Sequence, residues 1–120
     1  MMMHRHGKRE EVLVLTVESL CRLLHVPDAL PRLMRAGIVR FVNDISFTEL
    51  QKRLAFNKFA QSICLLIKGL AGLGVSVPGL YRAVAVAMML HQQDLSLHIA
   101  AAEAYMQLLL AEQELSLIHI

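Results

Sequence analysis

The sequence predicts an all-α fold, an α-solenoid of about two to three stacked helical units. Three observations carry that expectation. Apolar residues recur at helical spacing along most of the chain. Three stretches align with one another: Thr16–Leu24 (TVESLCRLL), Phe59–Ile67 (FAQSICLLI) and Ala101–Leu109 (AAEAYMQLL). Apolar residues match at Val17/Ala60/Ala102, Leu20/Ile63/Tyr105, Cys21/Cys64/Met106 and Leu24/Ile67/Leu109. A polar residue matches at Glu18/Gln61/Glu103, with offsets of 43 and then 42. A second landmark keeps the same ruler, because Gly37–Arg40 (GIVR) returns 42 residues on as Gly79–Arg82 (GLYR). Units of this period bury their apolar faces against neighbouring units, so Leu20, Ile63 and Tyr105 are expected as equivalent core positions.

The first helix is expected over Lys8–His25, with Leu13, Val17, Leu20, Cys21 and Leu24 on one stripe. Glu10 and Glu11 in its first turn and His25 at its end suit the helix dipole. Val26, Pro27 and Asp28 break it. A short helix, Asp28–Arg35, tolerates Pro31 in its first turn and stops at Gly37. A third helix, Ile38–Ile45, carries Ile38, Val39, Phe41, Val42 and Ile45. Ser46–Glu49 fits a capping box, which starts a fourth helix from Phe47 to Lys68. Its stripe is Leu50, Leu54, Phe56, Ala60, Ile63, Cys64 and Ile67. Gly69–Pro78 reads as a glycine-rich loop or a degenerate short helix. A fifth helix covers Leu80–His91, and Asp94 caps a sixth, Leu95–Glu112.

A chain of 120 residues holds one domain at most. It is 56% hydrophobic and 18% charged, more apolar than an average soluble domain. The net charge of +2 and the scattered basic residues argue against a nucleic-acid partner. The two cysteines are far apart and form no CxxC, and the apolar run Val12–Val17 is too short for a signal peptide. Reduced thiols and a cytoplasmic or nuclear location are therefore expected. The greasiest stretch, Ser62–Leu90, is broken by Lys68, Pro78 and Arg82. No apolar span approaches the ~20 residues that a bilayer crossing needs, so no membrane association is expected.

Chemistry-bearing residues are sparse. His4 and His6 lack a third ligand and a rigid frame, and residues 1–8 read as a disordered basic head. His25, His91 and His98 read as solvated or capping residues. Cys21 and Cys64 sit at matched repeat positions and read as small core hydrophobes, as do Met88, Met89 and Met106 on their apolar faces. The run Gly69–Gly79 lacks the Lys-Ser/Thr of a phosphate loop. No catalytic set, cofactor motif or metal-ligand cluster is visible, and no enzyme is expected.

The order long helix, short helix, Gly, medium helix, long helix resembles the armadillo repeat, most clearly over Glu18–Val42 (ESLCRLLHVPDALPRLMRAGIVRFV). In that family a short first helix ends at a Gly, a second helix follows, and a longer third helix carries a small-x-x-Leu-x-x-Leu pattern. The resemblance covers most of Val12–Leu110. It breaks at Gly69–Pro78, where a first helix should lie, so HEAT repeats remain an alternative. It implies a right-handed superhelical stack over residues 9–114, whose third helices line a concave groove for a peptide or partner protein. The groove positions it implies are Glu18 and Arg22, then Gln61, Leu65 and Lys68, then Glu103 and Gln107. Nuclear-import adaptors of that family carry Trp and Asn ladders there. This chain has no Trp, which argues against a pocket for basic import signals.

The last six residues, Leu115–Ile120 (LSLIHI), match a translation of CTG TCT CTT ATA CAC ATC, a transposase mosaic end used in sequencing libraries. They are read as a non-native tail. The native chain is then expected to continue past Glu114 into further repeats, and the last helix to expose an apolar face. The expected function is a protein-interaction scaffold. A regulatory solenoid segment of a larger enzyme, and a small helical membrane protein, are the alternatives.

Overall fold

Six α-helices and no strand occur among the described residues. The computed structural model describes the backbone over residues 2–47 and 54–118, and the side chains over 10–44 and 54–113. Helix α1 (Met2–Leu23) starts well before the expected Lys8, so residues read as a disordered head have helical backbone. It closes through tightened turns, in which His25 N–H donates to Arg22 O and Val26 N–H to Leu23 O. Helix α2 (Ala29–Ala36) buries none of its residues. Gly37 ends it as expected, at φ 94°, donating its N–H to Leu33 O and Met34 O. That left-handed conformation strains any residue with a Cβ. Gly37 O then accepts from Phe41 N–H and opens α3 (Ile38–Phe47).

The boundary between the third and fourth helices differs from the sequence expectation. Ser46 lies inside α3 rather than capping a new helix, and α4 (Asn57–Gly72) begins ten residues after Phe47. Thr48, Glu49 and Leu50 lie outside the described residues. A capping box competes with a helix already running, and here the α3 helix started at Ile38 runs on through Ser46. A short turn at Leu54 and Ala55 leads into α4, with Leu54 buried.

Helix α4 also runs past Lys68, so Gly69–Gly72 is helix rather than loop. Glycine is a poor helix former, disfavoured by about 1 kcal/mol against alanine. Gly69 sits where the end of α1 closes in: a Cβ there would lie 2.8 Å from Cδ1 of Leu24, the residue after that helix. The chain turns at Gly74 (φ 94°), runs extended over 75–77, and enters α5 (Pro78–Leu90) with Pro78 in the first turn. Gly79 sits in that turn against Asn43 of α3, where a Cβ would fall onto Asn43 Oδ1 and lie 3.0 Å from its Cβ. The two glycines that the repeat makes equivalent thus do different work. Gly37 caps a helix, and Gly79 admits a neighbour.

Helix α6 (Leu95–Ile118) starts at its expected cap, where Asp94 Oδ1 accepts from Leu97 N–H at 3.0 Å. Helix α4 packs on α1, α5 and α6, and α3 packs on α5 and α2. The α4 side of this core is bulky, with Phe59, Ile63, Leu66, Ile67 and Leu70 fully buried. The α6 side is small, with Ala100, Ala101, Ala104 and Ala111 around Leu97 and Leu108. Large against small lets the two helices interlock at close range. They run parallel: Asn57 meets Asp94 near both N-termini, and Lys68 meets Glu103 further along.

This packing corrects the third repeat segment. Tyr105 is 47% exposed and Met106 63%, and Ala102 and Leu109 also face out, while Leu20 is half-buried. Burial in α6 falls one residue earlier, at Ala101, Ala104 and Leu108. The alignment followed apolar character, and α6 is apolar around most of its circumference, so two registers fit equally well. The alanine face is buried because only small side chains fit against Phe59 and Ile63.

Candidate partner-binding cleft

Helices α1, α4 and α6 meet around a cleft of about 610 Å³. Helix α1 supplies Cys21 and, just past its end, Leu24 and His25; α4 supplies Leu65 and Lys68; α6 supplies Gln107. The cleft exists because Gly69 and Gly72 place no side chains in it. Its walls are mainly apolar and its rim is polar, the usual make-up of a site that accepts an apolar group beside a hydrogen-bonding one. Leu65 is 48% exposed, unusual for a leucine on a helix whose other faces are buried.

Lys68 Nζ donates to Glu103 Oε2 at 2.5 Å across the α4–α6 seam. Both side chains are close to half exposed, so the pair contributes at most about 1 kcal/mol and can exchange partners. Cys21 is half-buried, and burial, followed by the negative charge of Glu18, raises its thiol above the ordinary range. Burial pushes the Cys64 thiol up to about 12. Neither thiol is activated, in keeping with packing roles rather than nucleophilic ones.

Of the groove positions drawn from the family resemblance, Leu65, Lys68 and Gln107 line this cleft, and Glu103 joins it through Lys68. Glu18, Arg22 and Gln61 are not among its lining residues. Sequence reasoning missed Leu24, His25 and Leu73, which also line it, and placed Cys21 in the core. The signal for them was Gly69: a glycine four residues after Leu65 opens space beside it on the same helical face.

A second depression, of about 750 Å³, is walled by the single turn Met89–Ser96. It is the outer surface of the α5–α6 corner. His91 Nε2 bonds Leu54 O at 2.7 Å there, and His98 Nε2 bonds His91 O at 3.0 Å, so both imidazoles hold backbone together. Among the described residues no group of three or more His, Cys, Asp or Glu could hold a metal ion, and no helix is long and apolar enough to cross a membrane. Comparison of the chain with protein-family models, with curated proteins and with solved structures gives no match.

Proposed function

We propose that this chain is an armadillo-like interaction scaffold whose α1–α4–α6 cleft takes up a segment of a peptide or partner protein. One observation carries the reading: α4 and α6, far apart in sequence, bring an exposed Leu65, the Lys68–Glu103 pair and Gln107 to the mouth of one cleft that Cys21 of α1 also lines. An apolar partner side chain fills the space over Gly69 and Gly72. The partner backbone exchanges hydrogen bonds with Gln107 and the Lys68 ammonium. The parallel course of α4 and α6, with α3 and α5 packed together, supports the stacked arrangement this mechanism needs.

The test is selection from a random peptide library on the immobilised chain. Selected peptides are expected to share an apolar anchor and to lose binding to Leu65→Glu. They should retain binding to a chain altered on the outer face of α1, such as Val12→Glu. Peptides indifferent to Leu65→Glu, or no enrichment at all, would overturn the proposal.

A further inference from the structure

Helix α6 outruns the helix it packs on. Asn57 of α4 meets Asp94 and Lys68 meets Glu103, a register that brings the end of α4, at Gly72, beside Gln107 and Leu108 of α6. Helix α6 continues to Ile118. Its polar partners from Leu108 onward are Ser76, in the extended residues 75–77, and Tyr81, in the first turn of α5. Ser76 Oγ donates to Leu108 O at 3.2 Å and lies 3.5 Å from Tyr81 Oη. Tyr81 Oη donates to Glu112 Oε2 at 2.7 Å. The Tyr81 ring also stands edge-on to Tyr105, with centroids 5.4 Å apart. Two hydroxyls thus hold α6 at points a helical turn apart.

These bonds stand behind one end of the cleft. Leu73, on its α4 side, comes shortly before Ser76, and Gln107, on its α6 side, directly precedes Leu108. The turn that joins Leu73 to Ser76 is fixed to α4, since Gly74 N–H donates to Ala71 O and Val75 N–H to Leu70 O. Through Ser76 and Tyr81 the α6 wall is therefore held at a set distance from the end of α4. The α1 wall, which packs on α4, stands across the cleft from it. Apolar contact adds little hold here. Among the described residues past Leu108, α6 buries only Ala111, whose side chain is a single methyl.

We propose that Ser76, Tyr81 and Glu112 form a clasp that sets the width of the α1–α4–α6 cleft. The cleft widens for a partner side chain when the clasp releases, and narrows when it re-forms. The three act as positioning residues, since none of them lines the cleft. The clasp takes its purpose from the interaction reading and rests on it there, but its movement is measured without any peptide.

Amide hydrogen exchange and thiol labelling on the full chain test it. Tyr81→Phe removes the bond to Glu112 and keeps the ring against Tyr105. Glu112→Ala removes the same bond from the other side, and Glu112→Gln keeps an acceptor in its place. Amides over 109–113 are expected to exchange about tenfold faster in Tyr81→Phe and in Glu112→Ala, the effect of losing one hydrogen bond. Cys21, which borders the cleft, should react with a maleimide several-fold faster in the same two variants. Glu112→Gln should bring both readings back toward wild type. Ile63→Val lowers global stability away from the clasp, and should leave exchange over 109–113 unchanged. Unchanged exchange over 109–113 in the clasp variants would overturn the proposal. So would faster exchange there with unchanged Cys21 reactivity, because the clasp would then fasten the helix end alone. An Ile63→Val chain that speeds 109–113 equally would overturn it too, since that opening would be global. A failed peptide selection bears on the interaction reading, and these readings bear on the clasp.

Discussion

Asp94 and Asn57 tie the starts of the two longest-packed helices together: Asn57 Nδ2 donates to Asp94 Oδ2 while Asp94 Oδ1 caps α6 through Leu97 N–H. One carboxylate therefore fixes both where α6 begins and where it stands relative to α4. The Leu97 N–H, then the Asn57 amide, hold its pKa below the ordinary aspartate value. A lowered folded-state pKa means that Asp94 stabilises the fold above the unfolded-state pKa, near ~4, and that this contribution is lost as pH falls through the folded value. Thermal unfolding across the acid range should show a limb that flattens in Asp94→Ala, with a lower midpoint at neutral pH. An unchanged acid limb would show that Asp94 does not couple the fold to protons.

Two residues that the repeat alignment places in the core should respond unequally. Ile63 is fully buried, and Ile63→Ala should cost about 2–5 kcal/mol in denaturant unfolding. Met106 is mostly exposed, and Met106→Ala should stay within about 0.5 kcal/mol. Equal losses at both sites would restore the register in which Met106 faces the core.

The Gly79–Asn43 contact predicts a coupled pair. Gly79→Ala pushes a methyl into Asn43 and should destabilise the fold by about 1–3 kcal/mol. Combining it with Asn43→Gly empties that space, so the double variant should be less destabilised than the two single losses added together. Strict additivity in the cycle would mean that α3 and α5 do not meet there.

Thiol labelling separates the two cysteines. Cys21 borders the cleft and Cys64 is sealed in α4, with its pKa pushed up to about 12 by burial. A maleimide should modify Cys21 in the native chain and reach Cys64 only after denaturant is added. A raised folded-state thiol pKa favours the neutral form, so this part of the stability persists at neutral pH and is lost as strongly alkaline pH ionises the thiols. Rapid native labelling of Cys64 would contradict the packing around Ile63 and Ile67.

Local chemistry made the helix ends legible. Gly37 and Asp94 act through their own backbone and carboxylate, and no distant contact is needed to read them. The all-helical class followed from periodicity for the same reason. The face that α6 buries was not legible, because Leu95, Ile99, Met106 and Leu110 are as apolar as Leu97 and Leu108. Only the bulk of Phe59 and Ile63, brought in by tertiary packing, chooses the alanine side. The Ser46 box failed similarly, since nothing local says whether a helix already under way will stop. Of the cleft, Leu65, Lys68 and Gln107 are among the groove positions that the armadillo resemblance implies. Leu24 and His25 depend on how closely α1 approaches at Gly69.

The placement of α4 sets how the molecule comes apart. It touches α1, α5 and α6, whereas α2 fully buries no residue and packs chiefly on α3. Amide protons between Ile63 and Leu70 can therefore meet solvent deuterium only when the whole assembly opens, and those of α2 can do so by local fraying. A proteolytic cut in α2 would leave a nicked but standing molecule, and a cut in α4 would leave none.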